Sequence, residues 1–257
     1  MTAPCAREPR STSPWGAPIH RLHVTTSTMD EAAGLIVASP AHGTAITAER
    51  QSAGRGRNPG SRWSSETGAN LLLTLMLRQD RTAAVPSTVP LRVGCALAEV
   101  AAAWGLSPSI KWPNDLLIGA RKLAGVLCTA TRGWLLIGVG VNGNQRSFPS
   151  EAGDATSLAL CLGRSIDRAR LERDVLAAMH RLLDADDWLD RLRGRLAGVG
   201  GPARVEQAGE AIAGVLLGVD RNGALRLRTG AGSGPVRQVL SGRLTLEAAL
   251  EGPGAEN

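Results

Sequence analysis

"SIKWPNDLLIGARKLAGVLCTATRGWLLIGVGVN", residues 109–142, holds four short apolar runs separated by turn residues. The breaks fall at Pro113-Asn114, Gly119-Ala120 and Arg132-Gly133. Turn signals this closely spaced leave room only for hairpins, so the stretch reads as a four-stranded antiparallel meander. It also holds both lysines of the chain, Lys111 and Lys122, among 29 basic residues. Everywhere else arginine serves as the cation. The meander puts Lys111 at the end of one strand and Lys122 at the start of a neighbour. Strands lie ~4.8 Å apart, so both compact ammonium groups are expected at one pocket.

Working outward toward the N-terminus, "NLLLTLMLR" (70–78) is short, continuous and apolar, the pattern of a strand buried on both faces. "GTAITAER" (43–50) reads as another strand, and residues 87–105 as a helix burying Leu97, Val100 and Ala101. Between the two strands lies "GRGRNPGSRW" (54–63), with three glycines, three arginines and a proline in ten positions. Glycine and proline both oppose regular structure, so this is a loop. Its glycines let backbone amides approach a phosphate, its guanidiniums clamp anionic oxygens in pairs, and its ordering could seal in a reactive product. A solvated basic surface loop and a nucleic-acid patch remain open from spacing alone. Upstream, "TTSTMDEAAGLIVAS" has Thr28 three residues before Glu31, a capping-box pattern, which places Ser27 and Thr28 at a helix mouth. Helix-mouth amides can hold a polar ligand, and plain capping explains the same residues.

Toward the C-terminus, 143–158 is a polar loop too long for a plain connection. Two helices follow, the first capped by Asp167 or Ser165. "GVGGP" (198–202) breaks the chain, and short evenly spaced strands beyond it suggest a small β-barrel. The expected organisation is a disordered leader over 1–18, one main domain over 19–198 and a small one over 199–257.

With 257 residues, 43% hydrophobic, the chain can bury a core. No apolar run approaches the ~18–20 residues of a membrane helix, and the leader has no apolar segment of a signal peptide. Cys5, Cys95, Cys128 and Cys161 lack ligand-like spacing and read as free thiols in a reducing cytoplasm. The net charge of +6 favours anionic partners.

The ordered series GRGR, "SSETGANLLLTL", "KWPNDL", "RKLAGVL" and "IGVGVN" resembles the biotin protein ligases over about residues 22–246. That resemblance implies an α+β fold: a mixed β-sheet with flanking helices, related to class II aminoacyl-tRNA synthetases, followed by an SH3-like barrel. It implies two reactions. Biotin's carboxylate attacks the α-phosphorus of ATP, releasing pyrophosphate, and a lysine of a biotin carboxyl carrier protein then attacks biotinyl-5′-AMP. By similarity, Ser27, Thr28 and Gln51 face biotin, Gly54, Gly56, Trp63, Gly125 and Leu127 line its pocket, and Arg55 and Arg57 hold the carboxylate and phosphate. Lys122 bridges carboxylate and α-phosphate, Lys111, Asn114 and Asn142 serve the nucleotide, and the 143–158 loop closes over adenine. Asp115 either orients and deprotonates the incoming amine or caps its turn. Mg2+ arrives with ATP rather than in a carboxylate cluster. The chain is expected to act in the cytoplasm as a monomer or weak homodimer, without DNA or membrane binding.

The sequence departs from the family in three respects. "NPGSR" makes the loop one residue longer, leaving open whether Arg62 does the work of the usual third arginine. Gly242-Arg243 stands where an acidic residue often follows the glycine. About twenty residues precede the main domain, where bifunctional members carry a helix-turn-helix. A lipoate or octanoyl transfer enzyme and a basic nucleic-acid-binding protein are the alternative readings.

Overall fold

The structure is a computed structural model that describes residues 11–57, 60–207, 209–230 and 234–246. Seven strands form the main sheet: β1 (Ile19–Thr25), β2 (Thr44–Gln51), β3 (Leu71–Arg78), β4 (Pro108–Lys111), β5 (Asp115–Ile118), β6 (Arg121–Thr131) and β7 (Trp134–Val141). Their order is β1-β2-β3-β7-β6-β5-β4. All neighbours are antiparallel except β1 and β2, so the sheet is mixed as expected. The meander over 109–142 forms β4 to β7, with its three turns where the sequence breaks.

The two faces of this sheet are covered differently. Leu71, Leu73, Leu75 and Leu77 of β3 point into the main core, with α2 (Val89–Ala103) and α4 (Arg168–Leu182). α2 presents the expected Leu97, Val100 and Ala101 to that core. Asp167 caps α4, its carboxylate accepting from the N–H groups of Ala169 and Arg170. The opposite face carries α1 (Thr28–Leu35) over a smaller cluster of Met29, Ala32, Ile46, Met76, Trp134 and Leu136. Two short helices complete the domain: α3 (Leu158–Leu162) and α5 (Trp188–Arg193).

Beyond the GVGGP break lie β8 (Pro202–Gln207), β9 (Glu210–Val219), β10 (Leu225–Arg228), β11 (Val236–Val239) and β12 (Arg243–Leu246). They pair antiparallel in the order β11-β10-β9-β8-β12. Among the described residues β11 and β12 do not pair, so an open five-stranded sheet stands where a small barrel is expected. The apolar side chains of this sheet, among them Val205, Leu216, Leu225 and Leu227, belong to the same core cluster as those of β3 and α2, and polar contacts add to the junction. Trp112 Nε1 donates to Gly223 O at 3.0 Å, and Ser87 Oγ donates to Asn222 O at 2.8 Å.

Three further differences from the sequence reading have local causes. Residues 11–18, expected in the disordered leader, are ordered; residues 1–10 lie outside the described residues. Ser13 Oγ donates to Gly43 O at 2.7 Å, and Trp15 packs where Gly43 has no side chain and edge-on to His180. β1 has no counterpart in the sequence reading, because an edge strand with most positions wholly or partly exposed lacks a strict alternation. The N-cap of α1 is Ser27, whose Oγ accepts from Met29 N at 3.2 Å, instead of Thr28. Glu31 accepts from Thr25 Oγ1 at 2.6 Å, so the reciprocal capping box does not form.

Candidate active site

The C-terminal end of β2 and the mouth of α1 build one wall of a solvent-open cavity. Its lining includes Ser27, Thr28, Gln51, Arg55, Gly56, Arg57, Trp63, Asn114, Lys122, Gly125 and Leu127. Residues from four separate segments of the sequence reading therefore meet at one place.

The polar wall is held by hydrogen bonds. Gln51 Oε1 accepts from Thr28 N at 2.8 Å and from Thr28 Oγ1 at 3.0 Å. Both acceptances fall on Oε1, so the Gln51 amide has a fixed sense, with its NH2 group on the other side. Ser27 and Thr28 are buried.

The Gly/Arg loop is more regular than its composition suggests. Gly56 N donates to Ser61 O at 2.9 Å, Trp63 N to Gly54 O at 3.0 Å, and Arg55 and Arg62 form an antiparallel bridge. The segment thus leaves and re-enters as a narrow hairpin, with Asn58 and Pro59 outside the described residues. This closeness leaves no room for a side chain at Gly54 and little at Gly56. A Cβ on Gly54 would lie 2.6 Å from Trp63 O, and one on Gly56 would lie 2.4 Å from Ser61 Oγ.

The hairpin delivers Trp63 onto bare backbone. Gly125 and Gly140 are directly paired across β6 and β7. A Cβ on Gly140 would lie 2.6 Å from Cε2 and Cζ2 of the indole, and one on Gly125 would lie 3.2 Å from its Cζ3. Two missing side chains therefore form the seat for one aromatic ring. The close neighbour of Gly140 is thus the chain's own Trp63. Trp63 Nε1 is buried without a hydrogen-bond partner among the described residues, a donor available to a ligand.

Lys122 reaches this cavity because of a bulge. Leu116 pairs with Ala124 and Leu117 with Lys122, leaving Leu123 as an extra residue in β6. Without it, the odd spacing from Gly125 would turn Lys122 to the far face. With it, Lys122 Cε lies 3.2 Å from where a Gly125 Cβ would stand, and Nζ lies 5.7 Å from the Trp63 ring centroid. Nζ is 2.7 Å from Asp115 Oδ1. The backbone of Lys122 is pinned from the other side by the 143–158 loop: Lys122 N donates to Asp154 O at 2.7 Å and Thr156 N to Lys122 O at 2.9 Å.

The remaining residues occupy several positions. Asn114 lines the cavity, and its Nδ2 donates to Val126 O at 3.0 Å, clamping the turn onto β6. Lys111 does not line the cavity. It pairs with Asp115, which pairs with Gly125, so it lies on the same row and face of the sheet but two strands out. The expected convergence of both lysines on one pocket does not occur: Lys122 lines the cavity, paired with Asp115, and Lys111 stands at the outer end of the row. Asn142 is buried outside the lining, where its Nδ2 donates to Thr156 O at 2.9 Å and to Lys122 O at 3.4 Å. Arg55 pairs with Asp30 of α1. Arg57 Nη1 donates to Gly242 O at 2.9 Å, tying the hairpin to the β11–β12 turn of the second sheet. Burial pulls the Arg57 pKa below the usual guanidinium value, opposed by the charge of Asp115. Arg62 is exposed and is not among the lining residues.

A model of the biotin/lipoate A/B protein ligase family matches residues 22–144. The bifunctional ligase/repressor BirA of Bacillus spizizenii is 31% identical over 241 residues, which span 87% of this chain and 72% of that protein. The biotin–[acetyl-CoA-carboxylase] ligase of Mycobacterium tuberculosis is 33% identical over 201 residues, 73% of this chain and 74% of that protein. The structure of biotin protein ligase from Aquifex aeolicus in complex with biotin and ATP superposes with a TM-score of 0.78 at 26% identity, covering 89% of this chain and 99% of that one. The chain belongs to the biotin/lipoate A/B protein ligase family.

Proposed function

We propose that this chain is a biotin–protein ligase, which activates biotin with ATP and passes it to a lysine of a biotin carboxyl carrier protein. The observation that carries this reading is the meeting of Lys122, Arg57 and the Trp63 hairpin at the rim of a cavity whose inner wall is Ser27, Thr28 and Gln51. An uncharged, hydrogen-bonding wall suits the urea of biotin, and a cationic rim suits its carboxylate and the phosphates of ATP.

In the first step a carboxylate oxygen forms a bond to the α-phosphorus, and the bond to pyrophosphate breaks. Negative charge builds on the α-phosphoryl oxygens, and Lys122, held beside them with Arg57, offsets it in the transition state. The incoming carboxylate competes with Asp115 for Lys122 Nζ, 2.7 Å away in the structure. Arg55 and Lys111 add positive charge to the phosphate path, and Asn142 acts by holding the 143–158 loop to the Lys122 backbone. Mg2+ carried by ATP would lower the charge of the triphosphate. Among the described residues no three His, Cys, Asp or Glu side chains converge to hold a metal. In the second step the acceptor amine loses a proton and attacks the mixed anhydride, expelling AMP. Asp115, freed from Lys122, is the base or the orienting group. Trp63 over Gly125 and Gly140 keeps water from the anhydride. The five-stranded C-terminal sheet is read as an SH3-like module that closes one side of the site through Gly242.

Exchange of labelled pyrophosphate into ATP tests this. Exchange that requires biotin, and is not supported by lipoate or octanoate, is the expected result. Exchange supported by lipoate instead would favour a lipoate-activating ligase of the family, and no exchange from folded protein would reject the reading. Arg57→Gly should release biotinyl-AMP, seen as labelling of bystander lysines.

A further inference from the structure

We infer that Thr74, which does not line the cavity, is a positioning residue that sets the affinity of the site for its biotin-like ligand through Thr28 and Gln51. The inference rests on the ligase reading above. Thr74 is the only polar residue in the run Leu71–Leu77, at the centre of the sheet between Ile46 of β2 and Gly138 of β7. It is fully buried, at 0% exposure. A hydroxyl taken from water into such a strand costs free energy unless it finds a partner, and packing alone would be served as well by valine.

The partner is Thr28. Thr74 Oγ1 donates to Thr28 Oγ1 at 2.8 Å. Thr28 Oγ1 in turn donates to Gln51 Oε1 at 3.0 Å, and Thr28 N donates to the same oxygen at 2.8 Å. The three side chains form a one-way relay of hydrogen bonds from the sheet interior to the cavity wall. Because Thr74 fills one lone pair of Thr28 Oγ1, the Thr28 proton is directed at Gln51 and one lone pair is left for a ligand N–H. Because Gln51 Oε1 is engaged twice, its NH2 is left to donate to a ligand carbonyl. A urea offers both complements, a carbonyl oxygen and N–H donors. Gly138, paired with Thr74 in the ladder, lets Met29 press close: a Cβ there would lie 3.0 Å from Met29 Sδ. The first turn of α1, and Thr28 with it, is thereby held down on the relay.

The test compares Thr74→Val and Thr74→Ser with wild type, by biotin titration calorimetry and by pyrophosphate exchange. Thr74→Val keeps shape and loses the relay, and should weaken biotin binding and raise the KM for biotin on the order of fivefold to tenfold, the scale of one buried hydrogen bond. The KM for ATP and the kcat at saturating biotin should stay near wild type. Thr74→Ser should restore biotin affinity. In a Gln51→Ala background, Thr74→Val should add little. Wild-type biotin affinity in Thr74→Val, a matching rise in the KM for ATP, or an undiminished effect without Gln51 would each overturn the inference. Should Thr74→Val fold poorly, Thr74→Ala and Thr74→Ser decide the matter, since only the hydroxyl-bearing variant is expected to bind like wild type. Failure of wild type to bind biotin at all would overturn the functional reading itself.

Discussion

The two faces of the seven-stranded sheet are made from the same strands and treated in opposite ways. On one, alternate β3 leucines interlock with α2 and α4 in a continuous apolar layer. On the other, an eight-residue helix covers only part of the surface, and Gly125, Gly138 and Gly140 withhold side chains where Thr74, Gln51 and Lys122 supply polar ones. The first face is built by burial. The second is built by leaving burial incomplete, so that a ring, a cation and a hydrogen-bond relay can stand on exposed backbone. The difference teaches that stability and chemistry here share strands but not faces, and that alternation along a strand separates them.

That separation can be broken deliberately. The largest effect is expected from Lys122→Ala on the polar face. Biotin-dependent exchange should fall on the order of 100- to 1,000-fold, the scale of losing a preorganised group that stabilises transition-state charge. The melting temperature should change little, because both Lys122 and Asp115 are partly solvated. Near wild-type exchange would remove Lys122 from the reaction. Leu75→Ala, on the apolar face, should do the converse. Urea denaturation should show a loss of roughly 2–5 kcal/mol, while kcat per folded molecule holds. A matching loss of kcat would mean that the two faces are coupled.

Gly140→Val sharpens the comparison. Its branched side chain would meet the Trp63 ring, already 2.6 Å from a Cβ at that position. Exchange kcat/KM should drop about tenfold or more, on the scale of overpacking strain. A Trp63→Ala background should blunt the added loss, and an additive loss would place the strain elsewhere. The smallest effect lies away from the cavity. His42 Nδ1 accepts from Arg78 N at 3.1 Å, and burial, with Arg81 nearby, holds its pKa below 6.5. The folded chain therefore favours the neutral ring. This contribution is fully present above pH 6.5 and is lost as pH falls through 6.5 toward the folded value. Urea midpoints at pH 7.5 and 5.5 should differ more in wild type than in His42→Gln; equal differences would discard the role.

The legible parts of the site are those tied to local pattern. The meander announces itself by its turns, and the Gly/Arg segment by its improbable composition. Ser27 and Thr28 are legible as a helix mouth, although which residue caps the helix is decided by Gln51, 23 positions away, taking the N–H of Thr28. Thr74 gives only a faint signal, one hydroxyl in an apolar run. The Gly140 seat needs a partner from a distant hairpin, and the Leu123 bulge leaves no mark in the residue types around it.

Sequence by itself determined the strands of the meander, the polarity of their turns and the chemical inventory of two lysines, several arginines and the glycines, because hairpin geometry and side-chain alternation are local properties. Tertiary structure decided where that inventory points. A single extra residue in β6 turns Lys122 into the cavity, cross-strand register sets Gly125 beside Gly140, and Lys111 is left two strands out. Register and bulges come from the packing of whole strands against one another, and no short window of sequence contains that sum.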